Sequence, residues 1–335
     1  NIGGGGFLVA HLQSGKNISI DYREKAPTKA SRDMYLDKNG NPLMSLSQDG
    51  HLAVGVPGTV AGLFASLKYA KLPFRKLIQP AINLAENGFA ISASEASSLN
   101  ATKKEFITLN GATIAFIKDT DWKAGDKLIQ KDLAKTLRRI RDKGQKGFYD
   151  GETARLIVAE MKRGNGIISL GDLKNYKAKP RTPQTFNYKG YKIVGMGMPS
   201  SGGLLMAQMM KMIEGRGIDK MGFHSVQAVQ LMTEVQRRAY ADRAEYMVDA
   251  DHYNVPVEML ASDKYLKERM KSYKSDKATP STEIKPRIDI DVESEETTHL
   301  SVIDKEGNAI SVTTTLNGGY GSKTVIGGAG FFLNN

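Results

Sequence analysis

The 335 residues carry 47 Lys and Arg against 36 Asp and Glu, a formal net charge of +11, with 40% hydrophobic residues and no cysteine. That composition suits one large globular domain or two ordinary ones, and it excludes disulfides, thiolate metal sites and thiol catalysis. No window approaches the ~18 consecutive apolar residues of a membrane-spanning helix.

The chain begins Asn1-Ile2-Gly3-Gly4-Gly5-Gly6-Phe7, with neither an initiator Met nor the segments of a signal peptide, and it ends Phe331-Phe332-Leu333-Asn334-Asn335 on what reads as an apolar strand. Both ends are expected to be truncations of a longer protein. The glycine run lacks the Lys-Ser/Thr ending of a phosphate-binding loop, so close backbone packing is its expected role. A hairpin is predicted from Gly6–Leu12, a turn at Ser14-Gly15-Lys16-Asn17, and Ile18–Tyr22.

Gly55-Val56-Pro57-Gly58-Thr59 leads into a helical region from about Val60 to Asn87, broken near Leu72-Pro73 and ended by Gly88. Further helices are predicted at about 93–104, 129–143, 152–163, 203–214, 224–247 and 262–272. Between Lys131 and Lys146 the basic residues are interrupted by Asp132 and Asp142, with no aromatic interleaving. Solvated helix faces therefore account for the positive charge better than a nucleic-acid partner does. Pro199-Ser200-Ser201-Gly202-Gly203 reads as a tight turn opening a helix capped by Ser201 or a neighbour, and it lacks the Gly-x-Ser-x-Gly frame of a nucleophile elbow.

Strand-like runs at Phe186–Val194 and from Thr297 onward frame the helical block, which points to strands and helices in separate layers, an α+β class. Residues 275–296 turn to Pro, Ser, Lys and acid, and read as a mobile linker. The five histidines, at 11, 51, 224, 252 and 299, show no metal-ligand spacing, so no metal or other cofactor is implied.

From Thr297 the sequence is Thr-Thr-His-Leu-Ser-Val-Ile-Asp, then Lys-Glu-Gly, then Asn-Ala-Ile-Ser-Val-Thr-Thr-Thr-Leu-Asn. Gly307 at the third loop position fits a type I turn closed by a left-handed residue. If Asp304 faces Asn308, the register sets Thr297 opposite Thr315, with Asn317 two residues along the same face. Such a pair has a chemical use, because a chain-terminal Thr carries an α-amino group of pKa about 7.7–8.0 that can accept the proton of its own hydroxyl. The same hairpin also fits a purely structural role, since Thr suits a pleated, half-buried surface.

Around these threonines the chain resembles the gamma-glutamyltranspeptidase family at its processing site. The resemblance extends, in family order, through Ile2–Phe7, Asp21-Tyr22-Arg23-Glu24-Lys25-Ala26-Pro27, Pro57–Gly62, Pro199–Gly203 and Tyr240–Tyr246. It implies an N-terminal-nucleophile hydrolase fold, an αββα four-layer sandwich incomplete in this fragment. A precursor would cut itself at Glu296–Thr297 into a large-subunit portion, 1–296, and a small subunit beginning at 297, of which 297–335 is present.

The resemblance further implies a γ-glutamyltransferase and glutathione hydrolase that acts on glutathione and other γ-glutamyl compounds, with amino-acid or peptide acceptors, and is exported to the periplasm or medium. By motif, Thr297 is the nucleophile and Thr315 the threonine that hydrogen-bonds it. Arg23 grips the substrate α-carboxylate and Asn317 binds its α-amino group. Locally, Arg23 also fits a surface arginine and Asn317 a turn residue before Gly318-Gly319. His299 is given no catalytic role, because a lone strand histidine is more often structural. The family continues past Asn335 through an acidic stretch, a serine pair and an oxyanion-hole glycine pair. Other readings are a related acylase, such as a cephalosporin acylase or poly-γ-glutamate depolymerase, and a catalytically dead anion-binding protein.

Overall fold

The computed structural model describes residues 1–111, 113–284 and 297–335. Its principal sheet has five antiparallel strands in the order β5-β2-β1-β9-β8, and the site is built on it. The strands are β1 (Gly5–His11), β2 (Asn17–Asp21), β5 (Lys179–Arg181), β8 (Thr297–Ile303) and β9 (Ala309–Thr315). Two-stranded sheets pair β3 (Phe89–Ala90) with β4 (Lys127–Leu128), and β6 (Gln184–Tyr188) with β7 (Tyr191–Gly195).

Period-two alternation sorts the principal sheet into two chemically different faces. One carries Leu8, Ala10, Ile18, Ile20 and Tyr22, which are buried with Ile310, Val312, Ala65 and Tyr69 against them. The opposite face carries Gly5, Phe7 and Val9 from β1, paired with Thr315, Thr313 and Ser311 of β9, which pair in turn with Thr297, His299 and Ser301 of β8. Helix Thr59–Ser66 covers the apolar face, and Phe74–Asn87 and Lys131–Lys143 pack against each other beyond it. Their core, with Ile82, Leu137, Ile140, Phe148 and Ile157, also takes in Phe331 and Leu333.

The glycine run explains how β1 can lie so deep. An ideal Cβ on Gly3, Gly4 or Gly6 would sit 2.0 Å from the carbonyl oxygen of Phe332, Thr315 or Thr313 respectively. Nothing larger than hydrogen fits there. The Gly4 carbonyl then accepts hydrogen bonds from Gly58 N (2.8 Å) and Thr59 N (3.0 Å), so the glycine strand also tethers the first turn of helix Thr59–Ser66.

Several expectations need correction. The run Phe186–Val194 is not one strand but the β6–β7 hairpin, turned at Lys189 and Gly190, both with positive φ (48° and 84°), as a two-residue hairpin turn requires. The helix expected at 93–104 breaks into Ala93–Ala101 and Lys103–Leu109. Phe331–Asn335 forms no strand beyond an isolated bridge from Phe332 to Val325, because its side chains plug the helical core instead. Ser201 makes no cap hydrogen bond; its hydroxyl accepts from Arg243 Nε at 3.1 Å.

The expected linker does not start at 275. Thr279 and Ile284 are buried, and Arg237, Arg238 and Arg269 donate to Thr279 O, Thr279 Oγ1 and Ile284 O at 2.8, 3.0 and 2.9 Å. Residues 285–296, including Glu296, lie outside the described residues.

Gly4→Ala is expected to cost about 1–3 kcal/mol of stability, the range for forcing a methyl group into a filled space. Here the obstacle is backbone, which cannot rotate away. A melting temperature indistinguishable from wild type would refute this account of the glycine run.

Candidate active site

The β8–β9 hairpin forms as its loop sequence requires. Gly307 has φ +86°, Asp304 N donates to Asn308 O at 3.0 Å, and the Asp304 carboxylate accepts from Glu306 N, Asn308 N and Asn308 Nδ2 at 2.8–2.9 Å. Hydrogen bonding by Asn308, foremost by its side chain, holds the Asp304 carboxyl below its ordinary pKa. The loop sets the register, and Thr297 pairs with Thr315.

Thr297 is exposed at the start of the edge strand, whereas Thr315 is buried. The Thr315 hydroxyl accepts the backbone N–H of Asn317 at 2.8 Å. That bond marks the point where the chain leaves the sheet. Asn317 adopts φ +77° and is exposed, so it does not extend the Thr297–Thr315 face as a strand residue would. The left-handed turn redirects it, and Asn335 secures the turn by accepting from Gly318 N (2.9 Å) and donating its own N–H to Leu316 O (3.1 Å).

Below the threonine pair on the same face stands a polar ladder. His299 Nδ1 lies 2.7 Å from Thr313 Oγ1, its Nε2 3.1 Å from Ser301 Oγ, and Ser301 Oγ 3.1 Å from Ser311 Oγ. Both imidazole nitrogens are thus engaged by hydroxyls.

Arg23 reaches this face from the far side of β1. After β2 the chain folds across Gly5, where an added Cβ would lie 2.6 Å from Tyr22 O and 2.9 Å from Glu24 N. The Arg23 guanidinium sits over the Phe7 ring, 5.7 Å from its centroid, and its Nε donates to Glu24 Oε2 at 3.3 Å. Phe7 is two strands from β8, a lateral distance of about 10 Å at ordinary strand spacing. Arg23 and Thr297 therefore flank one stretch of the same sheet face.

Three groups in this neighbourhood were not singled out from sequence. Glu24 is largely buried beside Gly5, and Oε1 has no hydrogen-bond partner among the described residues. Burial raises its carboxyl pKa despite the neighbouring Arg23. Asn334 is buried and clamps two segments of the floor, donating Nδ2 to Gly3 O and Gly55 O at 2.8 Å and accepting from Gly55 N at 2.9 Å. Asp172 binds Thr28 N at 2.8 Å and the Thr28 hydroxyl, tying down the segment that follows Arg23. Only the proximity of Glu24 to Arg23 in sequence was a usable signal.

The gamma-glutamyltranspeptidase family model matches residues 1–335. The chain belongs to the gamma-glutamyltranspeptidase family. It is similar to the glutathione hydrolase proenzyme of Escherichia coli K12, 42% identical over 338 residues, with 100% of this chain and 58% of that protein covered. Among solved structures it resembles the Helicobacter pylori gamma-glutamyltranspeptidase (TM-score 0.83, 46% identity, 85% of this chain and 83% of that chain). It also resembles the Pseudomonas nitroreducens gamma-glutamyltranspeptidase complexed with L-DON (TM-score 0.77, 36% identity, 85% of each). The fold is thus the N-terminal-nucleophile type expected, in the α+β class. The chain spans about three fifths of the length of the curated relatives it matches.

Within this family frame Asp172 offers a pH test. Burial works to raise its carboxyl, but hydrogen bonds from Ser169 and Thr28 outweigh that and hold it at about 2. Because the folded pKa lies below the ~3.9 of an unfolded Asp, the stabilisation is complete above about pH 4 and is lost as pH falls towards 2. Asp172→Asn should lower the melting temperature at pH 7 and flatten its decline between pH 4 and 2. An unchanged acid limb would show that this carboxyl carries no such linkage.

Proposed function

We propose that the protein is a γ-glutamyltransferase and glutathione hydrolase, made as a precursor that cleaves itself between Glu296 and Thr297. The supporting observation is the pairing of Thr297 with Thr315 on the sheet face that Arg23 overhangs. In the first event the Thr297 hydroxyl attacks the Glu296 carbonyl, the acyl group passes from nitrogen to oxygen, and water releases it. Thr297 then has a free α-amino group, whose pKa near 8 lets it take the hydroxyl proton at physiological pH.

In turnover the hydroxyl attacks the γ-carbonyl of a γ-glutamyl amide such as glutathione. The amine leaves with a proton, and a glutamyl ester on Thr297 passes to water or to an amino-acid or peptide acceptor. Thr315, directly across the hairpin, orients the nucleophile. Arg23 meets the α-carboxylate with two parallel N–H donors, a geometry lysine cannot reproduce. Asn317 serves the α-amino group from a turn rather than from the strand. Its left-handed backbone gives its side chain a direction that strand alternation would not. The assembly is a heterodimer of the two cleavage products, exported to the periplasm or medium. No helix among the described residues is long and apolar enough to cross a membrane.

Two variants of the full-length protein test this reading. Thr297→Ala should remain a single chain by intact mass and show no turnover of a γ-glutamyl anilide. Two products split before residue 297 would overturn the mechanism. Arg23→Lys should still self-cleave but raise KM for γ-glutamyl donors roughly 10- to 100-fold, the equivalent of a lost charge-assisted bond of about 1.5–3 kcal/mol. An unaltered KM would remove Arg23 from the site.

A further inference from the structure

The side chain of Arg23 is half-exposed, yet its main chain is held from both sides by side chains, one two residues earlier in the chain and one distant in sequence. Its N–H donates to Asp21 Oδ1 at 3.0 Å, and its C=O accepts from the Tyr176 hydroxyl at 2.6 Å. Each holder is itself fixed. Asp21 is buried, and its Oδ2 accepts from Arg181 Nε (3.0 Å) and Nη2 (2.8 Å), while Arg181 also donates Nη1 and Nη2 to Asp251 at 2.7 and 3.0 Å. Tyr176 stacks on Tyr149 with ring centroids 5.7 Å apart and planes 8° from parallel. Its hydroxyl occupies a space that exists because residue 58 is glycine, since a Cβ there would lie 2.2 Å from the oxygen.

A surface arginine needs no such bracket, whereas a guanidinium that must meet a carboxylate with two bonds at once needs its pivot fixed to a fraction of an ångström. We propose that Tyr176 and the Asp21–Arg181 pair are positioning residues for Arg23, which set the affinity of the site for donors that carry an α-carboxylate. The proposal rests on the assignment of Arg23 to that carboxylate. It separates donor binding from self-cleavage, because the Glu296–Thr297 bond offers Arg23 no α-carboxylate to grip. It also differs from a merely structural role in joining β2 to β5, which would affect every reaction of Thr297 alike.

The test uses the full-length protein with Tyr176→Phe, Asp21→Asn and Arg23→Lys. Two anilide donors are compared, γ-glutamyl p-nitroanilide and 4-aminobutyryl p-nitroanilide, the second lacking the α-carboxylate. Tyr176→Phe keeps the stacked ring and loses only the hydroxyl, so it carries the test even where Asp21→Asn fails to fold.

The expected result is a KM for the glutamyl donor raised about 5- to 10-fold, the effect of one lost hydrogen bond, with kcat within twofold. Turnover of the aminobutyryl donor and the rate of self-cleavage should be unchanged, and Tyr176→Phe should add nothing in the Arg23→Lys background. If Arg23→Lys weakens only the glutamyl donor while Tyr176→Phe weakens both donors equally, or neither, the bracket is structural and the proposal fails. If Arg23→Lys itself does not distinguish the two donors, the assignment of Arg23 fails first, and the proposal with it.

Discussion

The contact on which the rest of the structure depends is the approach of one backbone to others at Gly3, Gly4 and Gly6. A strand with side chains at those positions could not lie against Phe332, Thr315 and Thr313 and also place the Gly4 carbonyl under the first turn of helix Thr59–Ser66. Because β1 lies between β2 and β9, its position decides where both flanks of the site stand. Glycine costs conformational entropy in a strand, by roughly 0.5–1 kcal/mol relative to alanine. Four in succession are retained because the geometry leaves no room for anything else.

On that base, the two faces of one sheet do different work. The apolar face is covered by helix Thr59–Ser66, and it anchors β9 to β1 and β2 through Ile310 and Val312. The other face carries hydroxyls, an imidazole and the end of a guanidinium. Successive rows from the hairpin loop to Thr297 run Ser301–Ser311, His299–Thr313 and Thr297–Thr315. Each hydroxyl row can satisfy its neighbours, so a polar surface is sustained without charge until Arg23 is reached.

Parts of this were legible in the residues because they depend on near neighbours. The hairpin at Gly6–Tyr22, the helix pair divided at Leu72-Pro73 and the helix ended by Gly88 follow from turn chemistry and periodicity, as do most helices of the middle of the chain. The errors share one cause. Phe331–Leu333 is apolar enough for a strand, but it plugs a helical core. Residues 275–284 are polar enough for a linker, but arginines from two helices hold them. In each case composition describes the segment alone, whereas the partner that fixes it is remote in sequence.

The sequence by itself determined the threonine pair. A three-residue loop with glycine in its last position, flanked by β-branched arms, leaves one register, and that register needs no information beyond residue 315. Tertiary structure decided what surrounds the pair. Whether Asn317 continues the strand depends on Asn335 and on a left-handed turn at its own position. Arg23 comes to the same face because β1 pairs with β9 across some 300 residues of chain, and Tyr176 and Asp21 hold its main chain there. Register is a local property, enforced by backbone geometry over a few residues. Juxtaposition of segments is set by packing between parts of the chain that share no local signal.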